Sequence, residues 1–414
     1  MAVERPTRPG TLLYTYKMEG YKFESSILKW AREKRFGLGL EVIAPKLASS
    51  GVGMTVELVN SWESGTAQPT FPQVKKLAEI YKRPLAVFFL DSPPEETSNP
   101  PDLRTIGSKD HRVLSPDALL VIRKARRIQE VSEELREELK EPNSFKYSKY
   151  SLSDNPIELA EKVREDFDIP IKDQFKAKKF EDFFEYLRSK IEETGVITLK
   201  SGSHDSFPTE DCRAFSFADK KPYLILVNNK DYEGAKNFSL LHEFAHILLR
   251  EAGICNNFKA FNGNRSNINK LEVFCNQFAA NFLVPKVYFL THPAIANETK
   301  IDLEELDAVA NRMTRDFKVS RVVILRRLLT FELISSETYE SKIESWNDES
   351  IFKRPAGGTF SLKTTLLKNG KAFSSLVVEA RKQKKISYAG LSEYLGLKTK
   401  HLSNFEKLLN SYGR

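Results

Sequence analysis

Residues Phe238–Arg250 read FSLLHEFAHILLR, and at their centre stands His242-Glu243-Phe244-Ala245-His246, an H-E-x-x-H motif inside an apolar run. On a helix, residues four apart lie one above the other, so both imidazoles can reach one metal ion. Glu243 is one residue from His242, close enough to address a water on that ion without binding the ion itself. Two histidines that hold zinc, and a carboxylate that deprotonates its water, are the parts of a zinc peptidase. The plainer alternative is a helix with two satisfied histidines and a surface Glu. Against it, the flanking Leu240, Leu241, Phe244, Ile247, Leu248 and Leu249 predict a deeply buried helix, a costly place for three polar side chains without a function.

Two histidines leave a catalytic zinc one protein ligand short. Downstream, Leu271–Pro285 (LEVFCNQFAANFLVP) reads as a second apolar helix, stopped by proline, in which Glu272 shares a face with Cys275, Asn276 and Ala279. A carboxylate among Val273, Phe274, Phe278, Phe282 and Leu283 is costly to bury unless it is paired or metal-bound. Glu272 is therefore the expected third ligand, and a salt-bridging Glu at the helix start is the alternative. Cys275 competes from one turn along and otherwise reads as packing. Asn276 reads as a group that orients Glu272 or the helix.

Upstream of the motif the period changes from helical to alternating. Gly195–Lys200, Arg213–Asp219 and Tyr223–Asn229 read as strands, the last two joined by a hairpin loop at Asp219-Lys220-Lys221-Pro222. Asp231 is placed to cap the motif helix. A small sheet running into an H-E-x-x-H helix predicts a zincin-like catalytic domain, so the fold class is α+β and mainly helical. In that build an edge strand holds the substrate backbone extended, and Arg213–Asp219 is the candidate edge. Arg213 and His204 are candidate oxyanion or substrate contacts, although a histidine in the Ser201–Ser206 loop also suits plain solvent exposure. His111, His292 and His401 have no site context.

The run RAFSFAD…LILVNN…FSLLHEFAHILL…GIC…LEVFCNQFAANFLVP resembles the ImmA/IrrE family of zinc metallo-endopeptidases. With an Xre-like module in front, the likeness spans most of residues 24–350. The resemblance implies His242, His246 and Glu272 as Zn2+ ligands and Glu243 as catalytic base. It also implies cleavage of a partner transcriptional repressor, often of phage, mobile-element or stress-response origin, and hence regulation of genes. The Xre-like part is Ser25–Phe36, Leu40–Leu47, Thr55–Trp62 and Phe71–Tyr81, with W-E-x-G at Trp62–Gly65, and it resembles a helix-turn-helix of the phage-repressor kind. It departs from that pattern in a longer turn after Leu47, and in a recognition helix that carries Glu57 but no Lys or Arg. DNA affinity rests largely on phosphate neutralisation, so DNA, a protein partner and the catalytic domain are all candidate contacts of this module.

The chain of 414 residues carries a net charge of +8, unevenly placed: +2 over residues 1–100, +10 over residues 353–414, and −4 between. The basic end predicts three short helices, Phe373–Gln383, Ser387–Leu395 and Lys398–Leu409, with Lys398, Lys400, Asn404 and Lys407 as candidate nucleic-acid contacts. A solvated basic surface is the alternative. Proline-rich Ser92–Arg104 and the stretch Pro355–Gly358 read as linkers, which gives five parts. These are 1–92 (tail and Xre-like module), 93–109 (linker), 110–295 (peptidase domain with leading helices), 296–352 (helical extension) and 353–414 (basic module).

No apolar run approaches the roughly 20 residues of a membrane span, and MAVERPTRPG is no secretory leader. Three cysteines without a C-x-x-C pair make no disulfide framework, and a reducing cytoplasm is expected. Two rivals to an active enzyme remain. One is a DNA-binding regulator or antitoxin with a structural or idle zinc, and the other a latent peptidase shut by its flanking helices.

Overall fold

The computed structural model describes residues 22–36, 40–48, 53–81, 83, 85–94, 114–202, 207–251, 253–255, 267–296, 298–349 and 361–411. His111, His204, most of the Ser92–Arg104 linker and the Pro355–Gly358 linker lie outside the described residues. The chain divides into two compact units, Met1–Pro100 and Pro101–Arg414.

In the first unit, α1 (Ser25–Phe36), α2 (Ala44–Ala48), α3 (Val56–Glu63) and α4 (Phe71–Tyr81) follow the apolar spacing of the sequence. Ile27, Leu28, Ala31, Val59, Trp62 and Leu77 close its core. Thr55 starts α3 by accepting the Leu58 N–H at 3.2 Å. Across that core Arg32 meets Glu63 in a two-pronged pair, Nε to Oε1 at 2.7 Å and Nη2 to Oε2 at 2.8 Å, which fixes α1 against the end of α3.

The second unit is built on a four-stranded sheet: β1 (Ile197–Lys200), β2 (Ala214–Phe217), β3 (Leu224–Val227) and β4 (Gly253–Cys255), in the order β1-β3-β2-β4. β1 runs parallel to β3, while β2 runs antiparallel to both β3 and β4. β2 is thus an inner strand, not the edge that its sequence suggested. Its alternation explains its burial, because period-2 side chains divide between two covered faces. Ala214, Ile225 and Val227 belong to one core, and Phe215, Phe217, Leu224 and Leu226 to the other.

Helices cover both faces. Before the sheet come α5 (Pro116–Leu139), α6 (Pro156–Asp166), α7 (Ile171–Lys176) and α8 (Phe180–Glu193). Ser115 caps α5 by accepting the Ala118 N–H at 3.2 Å. After β3 comes α9 (Glu233–Leu249), the motif helix, buried along nearly its whole length. Its N-cap is Tyr232 rather than Asp231, whose carboxylate instead takes the Tyr232 N–H at 2.9 Å. At the other end the Arg250 guanidinium binds the Ile247 carbonyl, a cation where the helix dipole favours one.

α10 (Asn267–Leu283) lies against α9 and is followed by α11 (Lys286–Leu290), α12 (Leu303–Phe317), α13 (Arg321–Thr330) and α14 (Ser336–Glu349). Three buried side chains take up carbonyls at the end of α10: Arg164 binds Phe282 O at 2.7 Å, Gln174 binds Leu283 O at 2.8 Å, and Arg327 binds Val284 O at 2.6 Å. Leu306, Ala310, Met313, Phe317 and Ile324 join the core of α9 and α10, so the extension after residue 296 caps that layer.

The opposite face is covered by α5 together with α15 (Leu362–Asn369), α16 (Lys371–Lys382), α17 (Tyr388–Leu395) and α18 (Leu402–Ser411). From residue 361 onward the basic stretch, expected as a module of its own, therefore shares a core with the sheet. A polar joint holds it there. Glu192 on α8 accepts the Ala372 N–H at 2.9 Å, and Arg188 donates to the Leu367 carbonyl. Gly370 makes this approach feasible: its φ is +77°, and a Cβ would stand 2.4 Å from Glu192 Oε1 and 2.6 Å from the Thr198 carbonyl.

Gly370→Ala is accordingly expected to lower stability by about 1–3 kcal/mol from backbone conformation alone, with the steric clash added. Thermal unfolding of the full chain measures this, and an unchanged midpoint would mean that the joint does not hold these helices.

Candidate metal centre

α9 and α10 bring the candidate side chains to one buried point. His242 Nε2 and His246 Nε2 are 3.1 Å apart. The Glu272 carboxylate lies astride the pair, Oε2 at 3.4 Å from His242 Nε2 and Oε1 at 3.5 Å from His246 Nε2. Both imidazoles are buried, while the Glu272 side chain keeps 20% of its exposure. On α10, Cys275 and Asn276 sit one turn beyond Glu272 and face the same pair. A ligand atom of His242, one of His246 and the Cys275 sulfur all lie within 4.8 Å of one another.

The hydrogen bonding says what this point is suited to hold. Asn276 Oδ1 is 3.0 Å from His242 Nδ1, so that nitrogen carries the proton. In the neutral ring Nε2 then presents a bare lone pair to a carboxylate oxygen and to a second imidazole. Against the carboxylate oxygen that lone pair is repelled unless a proton or a cation stands between the groups. A tetrahedral ion with bonds of about 2.0–2.2 Å spaces its ligand atoms about 3.3–3.6 Å apart, close to the separations seen here. The donors therefore fit a divalent cation. Asn276 serves His242 rather than Glu272, which the sequence had left open.

Charge follows burial. With the imidazoles protonated and no ion between them, desolvation alone would raise the Glu272 carboxyl, but hydrogen bonds and charge from His242 and His246 outweigh it and hold the group well below the ordinary carboxylate range. Cys275 moves the other way: burial pushes its thiol up against the opposing pull of His246. Glu272 and Cys275 thus both stand close to the two imidazoles as a candidate third donor. Burial also raises Glu243, against the charges of His246 and His242 and a hydrogen bond from Ser216.

Ser216 is the site residue that the sequence did not disclose. Its hydroxyl donates to Glu243 Oε2 at 2.7 Å, from the face of β2 that carries Ala214. The other oxygen, Glu243 Oε1, is buried with no hydrogen-bond partner. Flanked by Phe215 and Phe217, a serine reads as a solvent-side residue, and only the helix laid over it reveals otherwise. Arg213 is not brought to the pair, because its guanidinium meets Asp231 Oδ1 at 3.2 Å, beside the N-terminal end of α9. His204 falls outside the described residues. His292 is held structurally, with Nε2 against Asp316 at 3.0 Å and Nδ1 accepting the Ala294 N–H at 3.2 Å.

Residues 196–329 match the family model described as the IrrE N-terminal-like domain, Peptidase_M78. The match spans about a third of the 414 residues and takes in β1 to β4, both site helices, α12 and most of α13. It supports an IrrE/ImmA-type peptidase domain in this part of the chain, and a metallopeptidase kind of function. No curated protein and no solved structure matches. No helix among the described residues is long and apolar enough to cross a membrane.

Two measurements test the donor assignment in the IrrE-like segment. Glu272→Ala should weaken Zn2+ binding by more than the roughly 10–100-fold that losing an outer partner such as Asn276 costs. Cobalt-substituted protein should lack a sulfur-to-metal charge-transfer band, and Cys275→Ser should leave its spectrum unchanged; a band lost in that variant would instead make Cys275 the ligand. The raised Glu243 carboxyl gives a pH dependence whose sign is fixed. Stability that depends on its protonated form is present at low pH and is lost as pH rises through the raised folded value. Metal-free Glu243→Gln should therefore gain on metal-free wild type in thermal midpoint from pH 5 to pH 8.

Proposed function

We propose that this chain is a zinc-dependent endopeptidase that cuts a partner protein, with a transcriptional repressor as the expected substrate and a change in gene expression as the outcome. The observation that carries this reading is the triangle of His242, His246 and Glu272, with a buried carboxylate one residue away. The first three would hold the ion. When bound, it supplies Lewis acidity and lowers the pKa of water towards neutrality.

The chain's own groups do the proton work. Glu243 offers Oε1, the oxygen without a partner, to the attacking water, while Ser216 keeps Oε2 in place. Burial raises this carboxyl towards the range in which a base both takes a proton from water and gives it up to the leaving amine. Asn276 keeps His242 in one tautomer, so its Nε2 stays available as a donor. With β2 paired on both sides, the edge strands among the described residues are β1 and β4, and β4, next to β2, is the candidate to pair with an extended substrate.

Glu243→Gln should keep zinc and fold and lose cleavage by at least about 10²–10⁴-fold. Ser216→Ala should lower kcat with KM and zinc content unchanged. New protein N-termini, compared by mass spectrometry between cells expressing wild type and Glu243→Gln, would identify the substrate. If both produced the same termini, or if Glu243→Gln kept the full biological effect, regulation by binding alone would replace the peptidase reading.

A further inference from the structure

The C-terminal helices present a second chemistry that the metal centre does not use. α17 starts at Ser387, whose hydroxyl accepts the Gly390 N–H at 3.0 Å, and stops at Gly396 in the left-handed conformation, φ +67°. The chain turns over Leu397 and Lys398, makes one 3-10 turn (Thr399–His401), and enters α18. Leu391, Leu395, Leu397, Leu402, Phe405 and Leu409 point into the core shared with α16 and the sheet. This is two short helices around a glycine turn, pinned from inside, with the face of the second helix left outward.

That outward face has a definite composition. From Lys400 it runs through Ser403, Asn404 and Lys407, at spacings of three and four, all exposed, with Lys398 beside it at the turn. The stripe contains no acid, and Glu406 lies off it. Lys382, Lys384 and Lys385, at and just beyond the end of α16, are exposed as well. No ion pair among the described residues engages Lys398, Lys400 or Lys407, whereas Arg127 on the long helix α5 lies 3.3 Å from Glu134 and 3.6 Å from Glu130. Unneutralised lysines carry counterion-dependent affinity for phosphates, and an asparagine among them can pair with an adenine edge. In the first unit the corresponding helix α3 exposes Glu57 and Asn60 and no cation, so the same reasoning leaves it without phosphate contacts.

We propose that α17 and α18 form a duplex-DNA-binding helix-turn-helix, with α18 entering the major groove, Asn404 at the base edges, and Lys398, Lys400 and Lys407 on the flanking phosphates. The proposal concerns a surface apart from the metal centre and stands whether or not the chain cuts peptides.

Fluorescence anisotropy of the full-length protein with a labelled 30-base-pair duplex of random sequence tests it. The expected result is binding in the range of about 1–100 μM near physiological salt, with log K falling against log salt at a slope near −3 to −5. Lys400→Glu with Lys407→Glu should weaken binding at least tenfold and flatten the slope by about 2, with thermal midpoint and zinc content unchanged. Lys75→Glu with Lys76→Glu, on the first unit, should change neither. Sequence selection from the random pool should return a shared site that Asn404→Ala loses. Three outcomes would overturn the proposal: equal binding to single-stranded dT30 and to the duplex, loss only with the Lys75 and Lys76 changes, or no effect of Lys400→Glu with Lys407→Glu.

Discussion

The contact on which the second unit depends is between two helices that each bury polar groups. α9 places His242, Glu243 and His246 in an apolar core, and α10 answers with Glu272 and Asn276. Burying such groups without partners costs several kcal/mol each in a low-dielectric interior. The two helices are tolerable only together, in one register, with Asn276 on one ring nitrogen and the carboxylate across the other. The packing of α9 on α10 is thus decided by hydrogen bonds and charge as much as by the leucines and phenylalanines around them. Cations and an amide at the end of α10, from Arg164, Gln174 and Arg327, hold that register from the far side.

Much of this was legible in the sequence because it is local. The four-residue spacing of the histidines, the apolar run around them, and the cost of a glutamate among phenylalanines are all properties of single helices. The helices of the first unit were legible for the same reason: Thr55 and Gly65 bracket α3, and the apolar period of α1 and α4 is uninterrupted. Ser216 was not legible, since its meaning depends on α9 lying across a strand some 27 residues away in sequence. Strand order was hidden in the same way. Strands of three or four residues carry too few side chains to show that β4 pairs with β2, and that pairing removes β2 from the edge.

The C-terminal segment shows the same limit on a larger scale. Its positive charge was plain, and charge runs of this kind usually mark a detached solvated module. What binds it to the sheet is a turn at Gly370 that fits between Glu192 and Thr198, contacts almost 180 residues distant in sequence. The apolar residues of α16 to α18 then complete the face of the sheet opposite α9. Charge described the outside of these helices correctly, and the apolar period described the inside, but neither names the surface on which the inside rests.

The sheet is therefore a wall with different textures on its two sides, and β2 shows why. Towards α9 it offers Ala214, Ser216 and Ala218, small enough for a helix to lie close and for one hydroxyl to reach the Glu243 carboxylate. Towards α5 and the C-terminal helices it offers Phe215 and Phe217, whose bulk fills the opposite layer. A larger residue at Ser216 would lift α9 off the strand; a smaller one would leave both carboxylate oxygens buried without a donor. Pairing on both sides fixes the height of β2, so the strand that steadies Glu243 is also one that no extended peptide can join. On the proposed reading, support of the base and capture of the substrate then fall to different strands, β2 and β4, and the base keeps its position whether or not a substrate is bound.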